Sequence, residues 1–157
     1  MVIEELTDRE CRAILERTNL ARLACARNNQ PYIVPVHVDF YDHSLYGFAV
    51  MGQKIEWMRQ NPLVCLEIDE LTTHEQWATV VVFGRYEELP DLPAYEYYRS
   101  VAEGLFQKHP VWWEPGSVPL VAHRPLPRIL FRILISRMTG RRAGPDAPDT
   151  RYVPAGA

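Results

Sequence analysis

The sequence predicts a mainly β, α+β domain in which about six short antiparallel strands close into a barrel or a sandwich, flanked by two or three helices. Three observations carry this. Most strand-like runs are joined by short turns such as Asn28-Asn29, which favour antiparallel hairpins because Asn tolerates positive φ. There is no βαβ alternation and no GxGxxG or GxxxxGK[ST] stretch, so a parallel nucleotide-binding sheet is not expected. The 157 residues, 47% hydrophobic and 24% charged, are enough for one domain with its own core.

The elements follow in order. Thr7 and Glu10 stand at capping-box spacing, with Leu6, Cys11, Ile14 and Leu15 on one helical face and Asn19 as a stop. Leu20–Ala26 is a first strand. A single second strand spans Tyr32–Tyr41, in which Pro35 removes a ladder donor and marks an edge or a bulge. Asp42-His43-Ser44 turns the chain into Leu45–Val50. A short helix over Lys54–Gln60 buries Ile55 and Met58 and ends at Asn61-Pro62. Leu63–Asp69 is a fourth strand, Glu70–Gln76 a polar loop, and Trp77–Leu89 a long fifth strand with Gly84 as a bulge. Pro90–Pro93 opens a helix reaching about Gln107. Residues Lys108–Pro127, with five prolines, form an irregular segment. Arg128–Arg137 is the last strand, with Arg128 and Arg132 on one face and Arg137 on the other.

Charge is unevenly spread. The net charge is -3, yet residues 1–120 carry -8 and residues 121–157 carry +5. Fifteen of the basic residues are Arg, and only Lys54 and Lys108 are Lys. The arginine-rich end has no aromatic platform for bases and belongs to an acidic protein, so pairing with the acidic body or with a small anion is expected rather than nucleic-acid binding. No apolar run approaches the ~20 residues of a membrane helix, and the acidic N-terminus does not resemble a signal peptide. Three scattered cysteines, Cys11, Cys25 and Cys65, fit reduced thiols in a cytoplasmic protein.

No side-chain constellation announces catalysis. His37, His43, His74, His109 and His123 show no zinc-binding spacing, and there is no GxSxG. Glu67 and Asp69 share a strand face, as an acid–base pair or simply as its solvated side. The most informative place is Gly52-Gln53-Lys54, where a strand gives way to a helix. Helix N-termini present unpaired N–H groups, and a Lys there adds a point charge suited to phosphate.

Taken in order, several pieces resemble the pyridoxamine 5'-phosphate oxidase-related flavoproteins. They are Leu23-Ala24, then 31–36 (PYIVPV), 45–48 (LYGF), 52–62 (GQKIEWMRQNP), 64–70 (VCLEIDE) and 77–89 (WATVVVFGRYEEL), followed by 112–116 (WWEPG) and 139–142 (TGRR). The nearer branch resembles nitroimidazole-resistance-type proteins. The resemblance implies a six-stranded antiparallel split barrel over residues 1–143, with 144–157 as a loosely ordered tail. It also implies a homodimer holding FMN, alternatively FAD, at its interface. Val34, Pro35 and Val36 would lie along the isoalloxazine; Phe48, Ala49 and Val50 would run beside the ribityl phosphate. Lys54 would bind phosphate, Thr79 and Trp77 would approach the flavin, and Trp113, with Trp112, would either wall its face from the partner subunit or anchor its own loop as ordinary core. Many relatives place hydroxyls at the phosphate where this chain has Ala49 and Val50; the expectation is either a lower phosphate affinity or substitution by Arg59 and backbone N–H groups. The implied activity is a flavin-dependent oxidoreduction of a small molecule, with electrons from a nicotinamide or deazaflavin donor and no metal. The alternative is a non-catalytic flavin- or haem-binding or sensory barrel.

Overall fold

The computed structural model describes residues 1–110, 120–121, 124–125 and 127–145. Ten strands and three helices appear in the order β1 (Val2–Glu5), α1 (Asp8–Arg17), β2 (Leu20–Arg27), β3 (Gln30–His37), β4 (Asp39–Tyr41), β5 (Ser44–Ala49), α2 (Gln53–Gln60), β6 (Leu63–Thr73), β7 (Gln76–Glu88), α3 (Glu96–Lys108), β8 (Leu120–Val121), β9 (Arg124–Pro125) and β10 (Ile129–Gly144). Eight strands form one antiparallel sheet, ordered β3-β2-β6-β7-β10-β5-β4, with β1 also paired to β10; β8 and β9 pair separately.

The sheet is an open, split barrel, and one segment explains the opening. The expected single strand Tyr32–Tyr41 breaks at Val38. Its first half, β3, pairs with β2 at one edge of the sheet, and its second half, β4, pairs with β5 at the other. The two edges are therefore joined by a bend in the chain and not by a ladder. Pro31 and Pro35 are tolerated because β3 is an edge strand.

Local signals hold where they are strong. Thr7 and Glu10 form the capping box, with Glu10 N–H donating to Thr7 Oγ1 at 3.3 Å and Thr7 N–H to Glu10 Oε2 at 2.9 Å. Helix α1 stops at Arg17, two residues before Asn19, with an extended Thr18 cap; the Asn19 side chain is instead used on Asp39. Asn28-Asn29 and Asp42-His43 take positive φ at both positions, as two-residue hairpin turns require.

Other expectations are corrected. Glu70–Gln76 is not a loop: β6 runs to Thr73 and turns tightly into β7 at Gln76, because exposed polar residues are as compatible with an overhanging hairpin as with a loop. Strand β1 was not anticipated; it is exposed throughout and held by pairing with Glu4–Glu5 opposite Arg142–Arg141. The last strand extends to Gly144, since Ala143 is buried and pairs with Trp77. The bulge lies opposite Gly84 and not in it: the register slips between Ile135 and Arg137, leaving Ser136 as the extra residue. A Cβ on Gly84 would stand 2.6 Å from both Ile133 Cγ2 and Leu134 O, so the close approach of β10 is what requires glycine.

The principal core fills the barrel with Leu23, Leu66, Ile68, Val80, Val82, Phe131 and Ile133, closed by Ile14 and Leu15 of α1 and Ile55 and Met58 of α2. A second cluster lies between α3 and the other face of β5 and β10, around Tyr46, Leu130, Ala102 and Phe106.

Candidate functional site

The expected site residues fall into two groups. The first surrounds the start of α2. Gly52 caps this helix with extended backbone and no side-chain hydrogen bond, and the first return bond is Glu56 N–H to Gly52 O at 3.1 Å. The N–H groups of the first turn are thus left for an external acceptor. Lys54 is half-buried in that turn, and burial holds its ammonium below the ordinary lysine range, opposed weakly by the Cys25 thiol. No carboxylate among the described residues pairs with it. A desolvated, unpartnered cation beside uncapped amides is a donor set that fits a phosphate.

Arg59 does not join this set. Its Nε and Nη2 donate to Glu88 Oε2 and Oε1 at 2.9 and 2.7 Å, so the expected substitution of Arg59 for missing hydroxyls is corrected: its fork is already filled by a carboxylate. Ala49 is buried and Val50 half-buried at the end of β5, leading into the helix. The Phe48 side chain is engaged elsewhere, edge-on to Phe106 at 5.0 Å and beneath the Arg128 guanidinium at 3.8 Å. On β3, Val36 is buried, Val34 half-buried and Pro35 exposed.

The second group lies on the outer face of the sheet. Ladder register aligns Asp69, Thr79 and Arg141 in one row and Pro35, Arg22, Glu67, Val81 and Thr139 in the next. Thr79 Oγ1 donates to Glu67 Oε1 at 2.9 Å, and Arg22 pairs with both Glu67 and Asp69. Glu67 and Asp69 are thus tied into an ion-pair network on the open face. Alongside, Leu6, Thr79, Val81, Met138, Thr139 and Arg141 line a groove of about 540 Å³. Trp77 is half-buried one row further on. Within one chain, Trp77 and Thr79 are separated from β3 by β6 and β2. Trp112 and Trp113 lie outside the described residues.

The basic end is explained by the same face. Because Ser136 is an extra residue, side-chain alternation is reset there, and Arg137 joins Arg132 on the outer face instead of opposing it. Arg132 donates to Glu87 at 2.5 Å and stacks on Tyr98, Arg137 stacks on Phe83 at 3.8 Å, and Arg142 meets Glu4 and Glu10. Arg132 and Arg142 are thus matched to acidic residues of the body, while Arg137 is held on an aromatic ring.

A third feature escaped the sequence reading. The Asp39 carboxylate, 1% exposed, gathers His37, His109 and Asn19 around it. The His37/Asp39 spacing, two apart in a strand, was the available signal; the arrival of His109 from α3 was not legible.

Comparison with known proteins agrees with this architecture. The sequence profile of the family described as pyridoxamine 5'-phosphate oxidase matches residues 7–142. An uncharacterized protein of Rhizobium meliloti is 42% identical over 146 residues, covering 91% of this chain and 97% of its own. The crystal structure of an FAD-binding protein from Mesorhizobium loti is 41% identical with a TM-score of 0.78, covering 92% of this chain and 99% of that one. A candidate 5-nitroimidazole antibiotic resistance protein from Bacteroides thetaiotaomicron shares the fold at 17% identity, with a TM-score of 0.64 over 90% of this chain and 89% of that one.

Proposed function

The chain belongs to the pyridoxamine 5'-phosphate oxidase family, and on that premise we propose that it binds a flavin and works as a flavin-dependent oxidoreductase on a small molecule. The single observation that carries the reading is Lys54: a half-buried ammonium without a carboxylate partner among the described residues, in the uncapped first turn of α2. Such a charge is destabilising unless an anion completes it. FAD is favoured over FMN because the 41% identical solved relative is an FAD-binding protein.

Residues of two protomers complete the site. The outer face leaves Ala24, Cys65, Val81, Phe83 and Trp77 without a covering element among the described residues. A second copy packed there would cover this apolar strip and bring the Thr79 side of one chain toward the Lys54 side of the other. This is the arrangement that reconciles the two groups of site residues.

The bound flavin supplies two-electron transfer. The chain's part is to hold the phosphate at Lys54, to offer β3 as a rail along the ring, and to keep water from it with Val34 and Val36. A nicotinamide or deazaflavin donor would reduce the bound cofactor. The direct test is the visible spectrum of the purified protein, with mass spectrometry of what it releases on denaturation. Bound flavin that NADH or NADPH bleaches promptly supports the oxidoreductase. A protein that stays colourless after saturation with FAD and FMN overturns the reading, and a bound flavin that no reductant other than dithionite reduces points to a non-catalytic binder.

A further inference from the structure

A second cation without a carboxylate stands near Lys54. Arg27 ends β2, and its guanidinium carbon lies 5.2 Å from the ring centroid of Trp57 in α2. Among the described residues the Arg27 side chain forms no ion pair and no hydrogen bond. Its neighbours are treated differently: Arg22 of the same strand is held by Glu67 and Asp69, and Arg59 of α2 by Glu88. Trp57 also meets Tyr32 of β3, with ring centroids 5.5 Å apart and planes inclined at 57°. Both rings are half-buried, so each keeps part of its surface open.

Strand and helix spacing set these side chains in sequence. Cys25 and Arg27 share one face of β2, about 7 Å apart, and Tyr32 is the ladder partner of Cys25. Lys54 and Trp57 are three residues apart on α2, hence neighbours on its surface. The Lys54 ammonium and the Cys25 thiol are near enough to act on each other's charge. Asn61, at the end of α2, donates from Nδ2 to Ala26 O at 3.0 Å and pins the helix to the end of β2. Lys54, Trp57 and Arg27 therefore follow one another along one border of the barrel, with Tyr32 beside the indole.

We propose that Arg27 and Trp57, with Tyr32 bracing the indole, form the subsite for the adenylyl half of FAD and so select FAD over FMN; the proposal rests on the reading of Lys54 as ligand of the phosphate that both flavins share. FAD differs from FMN by a second phosphate, a ribose and an adenine. A guanidinium takes phosphate oxygens through paired N–H groups and also stacks on aromatic faces, so Arg27 can hold the second phosphate without leaving Trp57. An aromatic ring gives a base a stacking surface whatever its hydrogen-bonding edge. One cation for each phosphate and an aromatic platform for the base match a flavin dinucleotide and exceed what FMN can use.

The test is calorimetric titration of the flavin-free protein with FAD and, separately, with FMN, for wild type, Arg27→Gln, Trp57→Leu and Lys54→Ala. Wild type should bind FAD more tightly than FMN. Arg27→Gln should bind FAD about tenfold more weakly, the loss of one charge-assisted contact, and FMN within about twofold of wild type. Trp57→Leu should show the same selective loss, whereas Lys54→Ala should weaken both flavins. Trp57 packs against the principal core; if Trp57→Leu fails to fold, Arg27→Gln carries the test, since it removes a charge and leaves the core untouched. Equal losses of FAD and FMN in Arg27→Gln, no loss of either, or a wild type that binds FMN as tightly as FAD overturns this proposal alone. A protein that binds neither flavin, or a Lys54→Ala variant that binds both as wild type does, overturns the preceding reading and this one with it.

Discussion

Arg59 of α2 and Glu88 of β7 hold each other through two parallel bonds, Nε to Oε2 at 2.9 Å and Nη2 to Oε1 at 2.7 Å. The two cations of α2 are thereby separated in role: Arg59 is satisfied within the fold, and Lys54 is not. Lys54→Ala should weaken flavin binding by about 1–3 kcal/mol, the usual worth of a charge-assisted contact. Arg59→Ala should leave the affinity unchanged. Fluorescence titration of both variants checks the contrast, and equal losses would mean that Lys54 is not the phosphate ligand.

Burial of Lys54 gives a pH dependence with opposite signs for the empty and the loaded protein. Its folded pKa lies below the ordinary 10.5. Between that lowered value and 10.5 the unfolded chain binds more protons, so the contribution of Lys54 makes the flavin-free protein more stable as pH rises through this window. Flavin binding needs the charged form, so affinity should fall over the same window. Chemical denaturation and flavin titration at matched alkaline pH values check the two slopes. Lys54→Met should abolish the Lys54 component of each.

Gly84→Ala should destabilise the fold by about 1–3 kcal/mol, the range for overpacked sites. The added methyl would meet Leu134 O at 2.6 Å, and backbone cannot swing aside as a side-chain tip can. Urea denaturation of the variant measures the loss. A stability within error of wild type would show that the bulge at Ser136 can move along β10.

Val81→Arg places a charge in the middle of the open outer face, beside Thr139 and Glu67 in its ladder row. The side chain points away from the barrel core, so the monomer should fold normally by circular dichroism. Light scattering should show wild type at twice the mass of the variant, and the variant should lose flavin together with its partner. A variant that remains a dimer would place the interface on another surface.

Residues 1–60 show how far local chemistry reaches. The capping box at Thr7 and Glu10, the paired positive φ at Asn28-Asn29, and Lys54 at a helix start are each written within a few consecutive residues, and each is present in the fold. These signals depend on hydrogen bonds and torsions spanning three or four positions, so any stretch containing them behaves alike. The break at Val38 is different in kind. Nothing in Tyr32–Tyr41 distinguishes one long strand from two short ones; the distinction arises because the two halves find different partners, β2 and β5, at opposite edges of the sheet.

The same holds for the arginines and for the buried acid. That the basic end would meet the acidic body or a small anion was readable from charge alone, and Arg132 and Arg142 do meet acidic residues. Which face Arg137 occupies was decided by the extra residue at Ser136, a slip that only pairing with β7 defines. His37 and Asp39 stand two residues apart in the chain, yet their enclosure depends on Asn19 and His109, from elements brought together by burial of the two cores. The sequence alone determined most of the elements, the turns and the lysine at the start of α2, because those are short-range torsional and hydrogen-bonding choices. The tertiary structure decided where the barrel splits and what surrounds Asp39, because long-range strand pairing and burial select among arrangements that are equivalent locally.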